Sequence, residues 1–295
     1  MSVVQTYGGR GDNPRTVLVY GNCQAPFVAR LLAAVSSFEG DYRFVYAPNH
    51  AMPGQEIPRV PADCLQDVAL YIEQCETWDS AIRQAVRQTV PAGCPRVSFP
   101  SFYFDCLWPF QCLETRGLPV DPAYPFGRYP YGDLIGISIA KQGLRGSEAL
   151  VAYLEQTSRK MPDLKVRLER CLQWMQAHDQ DNPLGIADYI AATFRKEHIF
   201  WSNGHASAGL MAELTRRIVR HVQPVLGGSL SQAEADIDAA ADFGGMGSQQ
   251  LPIHPQIAAF FELEYCPPTR LYRWFDQQWT FDEYICRYIA ADTNW

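Results

Sequence analysis

The feature that most constrains the fold is an alternation of short apolar runs with helical segments through the first hundred residues. Thr16-Val17-Leu18-Val19-Tyr20 is a short, near-continuous apolar run, as expected of a strand buried on both faces. Gly21-Asn22-Cys23-Gln24 follows, and residues 24–35 then carry helical spacing. The pattern repeats with strands at Tyr42-Arg43-Phe44-Val45-Tyr46, at Asp67-Val68-Ala69-Leu70-Tyr71-Ile72 and at Arg96-Val97-Ser98-Phe99. A Pro-rich loop covers 48–61, and helical spacing covers 77–89 (Trp78, Ile82, Ala85, Val86). Strands separated by helices predict an α/β fold: an open, mainly parallel sheet with right-handed crossovers and helices on both faces.

The middle of the chain reads as a large helical insertion over 130–197. Ser147 caps a helix carrying Leu150, Val151 and Leu154, which Pro162 stops. A second helix presents Leu164, Leu168, Cys171, Leu172 and Met175, and a third, over 184–195, presents Ile186, Tyr189, Ile190 and Phe194. His198-Ile199-Phe200-Trp201 reads as a late strand, and residues 206–222 as a helix with Leu210, Leu214, Ile218 and Val219 on one stripe. The expected organisation is one α/β domain over 1–295. Its sheet core lies at 15–100 and 198–222, with a mobile loop at 224–250 and C-terminal helices at 255–295. Ser231/Glu234 and Thr280/Glu283 have capping-box spacing.

With 295 residues, 47% of them hydrophobic and 19% charged, the chain can bury a sizeable core and is not of the disordered class. A net charge of −7 without a basic run argues against nucleic acid as a partner. No run of about 18 apolar residues exists to span a membrane. The nine cysteines form no Cys-x-x-Cys pair, so neither a metal site nor a disulfide framework is indicated, and reduced thiols in a cytoplasmic protein are expected.

The chemistry-bearing residues fall at strand ends. Gly21, Asn22, Cys23 and Gln24 sit where a strand meets a helix, so backbone N–H groups there can hold an anion and a thiol can be acidified. Asn203-Gly204-His205-Ala206-Ser207 has the same local grammar, and Glu73 and Gln74 end the third strand. If the late strand joins the sheet, Cys23 and His205 share one crevice, giving a nucleophile beside a base, with Asn203 or Asp133 orienting the imidazole. The alternatives are a purely structural strand–turn–helix junction at Cys23, the commoner use of such a turn, and His205 as the neighbour of a helix cap. The aromatic stretch Phe99-Pro100-Ser101-Phe102-Tyr103-Phe104 suits either core packing or stacking on a sugar or base, with core packing the commoner use. Gly136-Ile137-Ser138-Ile139-Ala140 lacks the last glycine of a nucleophile elbow and reads as buried helix. Gly244-Gly245-Met246-Gly247 has no strand before it and is not a dinucleotide fingerprint.

Taken in order, Gly21-Asn22-Cys23-Gln24, Phe99-Pro100, Tyr131 with Asp133, Ile186-Ala187-Asp188-Tyr189-Ile190 and Asn203-Gly204-His205-Ala206-Ser207 resemble the WcbI family of capsular-polysaccharide biosynthesis proteins. The resemblance runs from about residue 16 to 260. It departs at 203–207, where the family often reads Asn-His-Pro-Ser and this histidine is displaced by one position. It implies an acetyltransferase that uses coenzyme A or acetyl-coenzyme A and acts on a sugar, nucleotide-sugar or polysaccharide. The cofactor is expected at the anion-binding turn of Gly21, Asn22, Cys23 and Gln24, and the catalytic residues expected from the residue pattern are Cys23, His205 and Asn203. The first block is also similar to the nucleophile turn of SGNH-type esterases, which keeps a Cys-dependent carbohydrate esterase open. A non-enzymatic module binding coenzyme A or a nucleotide is the third reading.

Overall fold

A computed structural model describes residues 3–292 apart from 52–55, 76–79, 121, 122, 125, 181 and 242–245. The Gly244-Gly245 pair and Trp78 lie outside the described residues. Contacts divide the chain into two compact units. One comprises residues 1–102, 173–192 and 205–246; the other comprises 103–172, 193–204 and 247–295.

The first unit holds a five-stranded sheet of β1 (Gln5–Gly8), β2 (Arg15–Gly21), β3 (Tyr42–Pro48), β4 (Val68–Gln74) and β5 (Arg96–Phe99). The order is β1-β3-β2-β4-β5; β2 through β5 pair in parallel, and β1 closes the edge antiparallel to β3. β1 escaped the sequence reading because it is short and lacks an apolar run, its residues alternating between half-buried and exposed. β2 is central, and Val17 through Tyr20 are fully buried, which explains the unbroken apolar run.

Alternation along the strands assigns the two faces. Leu18, Tyr20, Val45, Ala47 and Tyr71 pack in one cluster with Ile82 and Val86 of α2 (Ala81–Thr89). α1 (Ala25–Ala33) packs on β2 and β3 and also against α7 (Ala208–Leu226). α7 in turn packs on α8 (Leu230–Ala240), whose Asp236 Oδ2 accepts both the N–H and the Oγ–H of Ser36 at 2.7 Å.

In the second unit, β6 (Gln111–Leu113) and β7 (Tyr131–Asp133) form an antiparallel pair that leads into α3 (Leu134–Lys141). α3, α4 (Gly146–Lys160) and α10 (Phe281–Ala290) pack together. The hairpin of β8 (Tyr272–Trp274) and β9 (Gln277–Trp279) sets the fully buried Trp274 among Tyr129 and Tyr284, with its Nε1–H donated to Arg128 O at 2.9 Å. α9 (Pro255–Phe261) completes this unit. α5 (Leu164–Asp179) crosses the division between the units, and α6 (Ala187–Thr193) falls mostly in the first.

Several expectations need correction. Residues 198–201 are not a strand of the sheet; Phe200 packs on Phe104, so this apolar run serves a core of rings rather than a ladder. The segment expected to be a loop at 224–250 contains α8, capped by Ser229 and not by Ser231. α4 starts at Gly146 with Arg145 as a cap that makes no side-chain bond, one residue before the expected Ser147. The Thr280/Glu283 capping box is present, and Gly136 through Ala140 are helical.

Candidate active site at the strand-order reversal

The chain leaves β2 and returns on one side as β3 and on the other as β4, so the strand order reverses between β2 and β4. Ligands of open α/β sheets lie beyond the carboxyl ends of the strands at such a point. Gly21-Asn22-Cys23-Gln24 occupies it.

The turn is locked by side chains from the neighbouring strand. A Cβ built on Gly21 would sit 2.7 Å from Gln74 Oε1 and 2.9 Å from Ala25 Cβ, so close approach is what requires glycine here. Gln74 Oε1 accepts the Asn22 N–H at 2.9 Å, and Gln74 Nε2 donates to Gln24 Oε1 at 2.6 Å. Gln24 Nε2 donates onward to Phe102 O at 3.0 Å. Asn22 Oδ1 accepts the Gln24 N–H at 2.8 Å, while Asn22 O accepts the Ala25 N–H at 3.0 Å and the Tyr46 hydroxyl at 3.3 Å.

These bonds correct the expectation of an anion cradle. The amides of Asn22, Gln24 and Ala25 are already engaged, and Pro26 has none. Among the described residues the Cys23 N–H has no partner beyond its own sulfur. The thiol is not acidified either: burial raises the Cys23 pKa, and the stabilising backbone N–H does not reverse it. Desolvation outweighs the helix terminus, and the group is a neutral thiol at neutral pH.

Around the turn stand groups from the adjoining strand ends. The Asn49 N–H donates to Gly21 O at 3.0 Å, and Asn49 Oδ1 lies 3.0 Å from His50 Nδ1. Burial lowers the pKa of His50. On the other side, Cys75 Sγ accepts the Asn182 Nδ2–H at 3.4 Å and feels Ser98 and Arg83. Glu73 is buried; burial pushes its pKa up, but Arg87 and Arg83 more than offset this and hold it below the usual value. His50, Cys75, Arg83 and Asn182 were missed in the sequence. The rule that site residues follow strand carboxyl ends reaches His50 and Cys75; nothing local points to Arg83 or Asn182.

His205 belongs to the same unit as Cys23 and precedes α7, which Ser207 caps by accepting the Leu210 N–H at 3.2 Å. Burial lowers the His205 pKa to about 4, so its imidazole is neutral at physiological pH. Asn203 falls in the other unit, where its Nδ2–H is donated to Tyr103 Oη and its carbonyl accepts the Phe104 N–H at 2.7 Å. Asp133 caps α3 through Gly136 N–H at 2.7 Å and accepts the Tyr153 hydroxyl at 2.9 Å. Asp188 pairs with Arg217 at 2.8 Å. Phe99, Phe102 and Phe104 are core residues, whereas Tyr103 is 45% exposed. Among the described residues no His/Cys/Asp/Glu cluster fits a metal ion, and no helix is long and apolar enough to cross a membrane.

A family profile, that of the polysaccharide biosynthesis enzyme WcbI, matches residues 16–224, well over half of the chain. The chain belongs to the WcbI family. A solved structure of WcbI, described as a novel polysaccharide biosynthesis enzyme, is similar with a TM-score of 0.65 at 19% identity, covering 94% of this chain and 89% of that one. That structure is of native protein without a disulfide bond between coenzyme A and one of its cysteines. No curated protein matches the sequence closely enough to serve as a relative. Within the WcbI family this chain is a polysaccharide biosynthesis enzyme, with the mainly parallel α/β fold expected from its sequence.

Proposed function

We propose that this WcbI-family protein is an O-acetyltransferase that moves an acyl group from acyl-coenzyme A to a hydroxyl of a sugar in surface-polysaccharide assembly. The observation that carries the reading is Cys23, a neutral thiol at the strand-order reversal with the one open amide of its turn. The description of the similar WcbI structure, which refers to a bond between coenzyme A and a cysteine, supports placing Cys23 beside the cofactor sulfur.

In this reading His205, neutral through burial, takes the proton of the sugar hydroxyl as that oxygen attacks the thioester carbonyl. The Cys23 N–H faces the oxygen that becomes negative. The carbon–sulfur bond breaks, and His205 returns its proton to the departing sulfur, which leaves as a thiol. Gly21, Asn22 and Gln24 position Cys23. A protonated Cys23 favours this direct transfer over an acyl-cysteine route, since a covalent nucleophile works as thiolate. A cytoplasmic location agrees with a coenzyme A-linked donor and unpaired cysteines.

The test uses radiolabelled acetyl-coenzyme A, a sugar-phosphate or nucleotide-sugar acceptor and the full chain. Label appearing on the acceptor, with free coenzyme A thiol released in equal amount, is the expected result. Acetate released from an acetylated sugar without coenzyme A would replace the reading by an esterase.

A further inference from the structure

Two cysteines distant in sequence meet inside the second unit. Cys106 lies in the short helical turn Asp105–Leu107, and Cys171 lies midway along α5. All nine cysteines of the chain are free thiols, and the sulfurs of these two share a hydrogen bond. Neighbouring bonds fix the turn against the helix. Arg167 lies one helical turn before Cys171, on the same face of α5. It donates to Asp105 Oδ2 at 2.5 Å and to Asp105 O at 3.3 and 3.4 Å. Cys171 donates its S–H to Tyr103 O at 3.6 Å, and the N–H groups of Asp105 and Cys106 point at the same sulfur.

The two thiols are not equivalent. Cys106 is fully buried, and burial raises its pKa well above the usual thiol value, with the bond to Cys171 adding to the rise. Cys171 keeps 7% of its surface exposed. The bond from Cys106 lowers the Cys171 pKa, outweighing burial and the nearby Asp105 charge, and the two amides act in the same direction. Arg167 pairs with that Asp105 carboxylate. A partly exposed thiol stabilised as thiolate is the one that attacks an oxidant, and a protonated thiol held against it is placed to resolve the product.

We infer that Cys106 and Cys171 form a peroxide-reactive dithiol, with Cys171 the attacking sulfur and Cys106 the resolving one. The Cys171 thiolate attacks one oxygen of hydrogen peroxide. A sulfur–oxygen bond forms, the oxygen–oxygen bond breaks, and the departing hydroxide takes up the proton that Cys171 released, leaving as water. The Cys106 sulfur then attacks the Cys171 sulfenic acid. The S–S bond forms, the sulfur–oxygen bond breaks, and the hydroxyl leaves as water with the Cys106 proton. The two thiols lose two electrons and two protons, and one peroxide becomes two waters. The new bond fastens the turn that follows Phe104, and with it the packing of Phe104 on Phe200, to α5.

The test treats the reduced full chain with increasing hydrogen peroxide, then denatures it in N-ethylmaleimide so that every remaining thiol is labelled, and maps the peptides by mass spectrometry. Cys106 and Cys171 should lose label together and in equal proportion, at doses that leave the buried Cys64 and Cys94 labelled. A cross-linked peptide lighter by two hydrogens should hold both residues, and dithiothreitol should restore their labelling. In Cys106→Ala the sulfenic acid has no resolving thiol, so dimedone should trap it on Cys171. In Cys171→Ser, Cys106 should stay reduced at the same dose. Cross-linking in the wild type needs no variant, so a Cys106→Ala chain that fails to fold leaves the decision with that peptide. Loss of label from Cys64 and Cys94 before any cross-link between residues 106 and 171 overturns the inference. Dimedone trapped on Cys106 in Cys171→Ser, with Cys171 inert in a folded Cys106→Ala, overturns the assigned order of attack.

Discussion

Gly21→Ala tests whether the turn is held by close packing against Gln74. The added Cβ would lie 2.7 Å from Gln74 Oε1, 2.8 Å from Gln74 Cβ and 2.9 Å from Ala25 Cβ. Gln74 is only 1% exposed and cannot swing into solvent. If it moves, it gives up the Asn22 N–H at 2.9 Å and Gln24 Oε1 at 2.6 Å. Overpacking costs about 1–3 kcal/mol and each lost hydrogen bond about 1 kcal/mol, so the expected loss is about 3–5 kcal/mol. A domain has only about 5–15 kcal/mol of stability, so the effect is large. Urea unfolding followed by circular dichroism reads it as a lower midpoint at unchanged slope. Adding Gln74→Ala to Gly21→Ala should remove the steric part, making the double variant markedly more stable than the sum of the single losses predicts. A loss below about 1 kcal/mol for Gly21→Ala, or strict additivity in the double variant, would refute the packing argument.

Cys23→Ser should keep most of the transfer rate if Cys23 lines the site and offers its amide; a drop of about a thousandfold or more would establish the acyl-cysteine route instead. His205→Ala should lower turnover by about 10²- to 10⁴-fold while coenzyme A affinity stays within about twofold. The same loss on His50→Ala, with His205→Ala active, would transfer the role of base to His50. Because the base must be neutral and its pKa is about 4, turnover of the wild type should fall only as pH drops through about 4. Asp133 has its pKa raised by burial from 3.8 to about 6. Its carboxyl therefore favours folding most below pH 3.8, and that contribution is lost as pH rises through about 6, a change of about 3 kcal/mol. The stability of Asp133→Asn relative to wild type should accordingly rise by about 2 kcal/mol between pH 4 and pH 7.5 in urea melts, and a flat difference would count against it.

Sequence alone determined the parallel sheet, because β2 to β5 are largely buried runs punctuated by helical segments, and burial on both faces leaves its mark on most residues of such a strand. It also determined the position of the Cys23 turn and the Thr280 capping box, since both depend on residues a few places apart. Tertiary structure decided what these pieces mean. His198-Ile199-Phe200-Trp201 has the composition of a strand, yet ring packing of Phe200 on Phe104 took it out of the sheet. The turn's amides looked open until Gln74, 52 residues from Asn22, closed one of them. Burial then decided protonation. The same desolvation that holds Cys23 as a thiol makes His205 a neutral imidazole, and no local motif encodes how much water a folded chain will exclude.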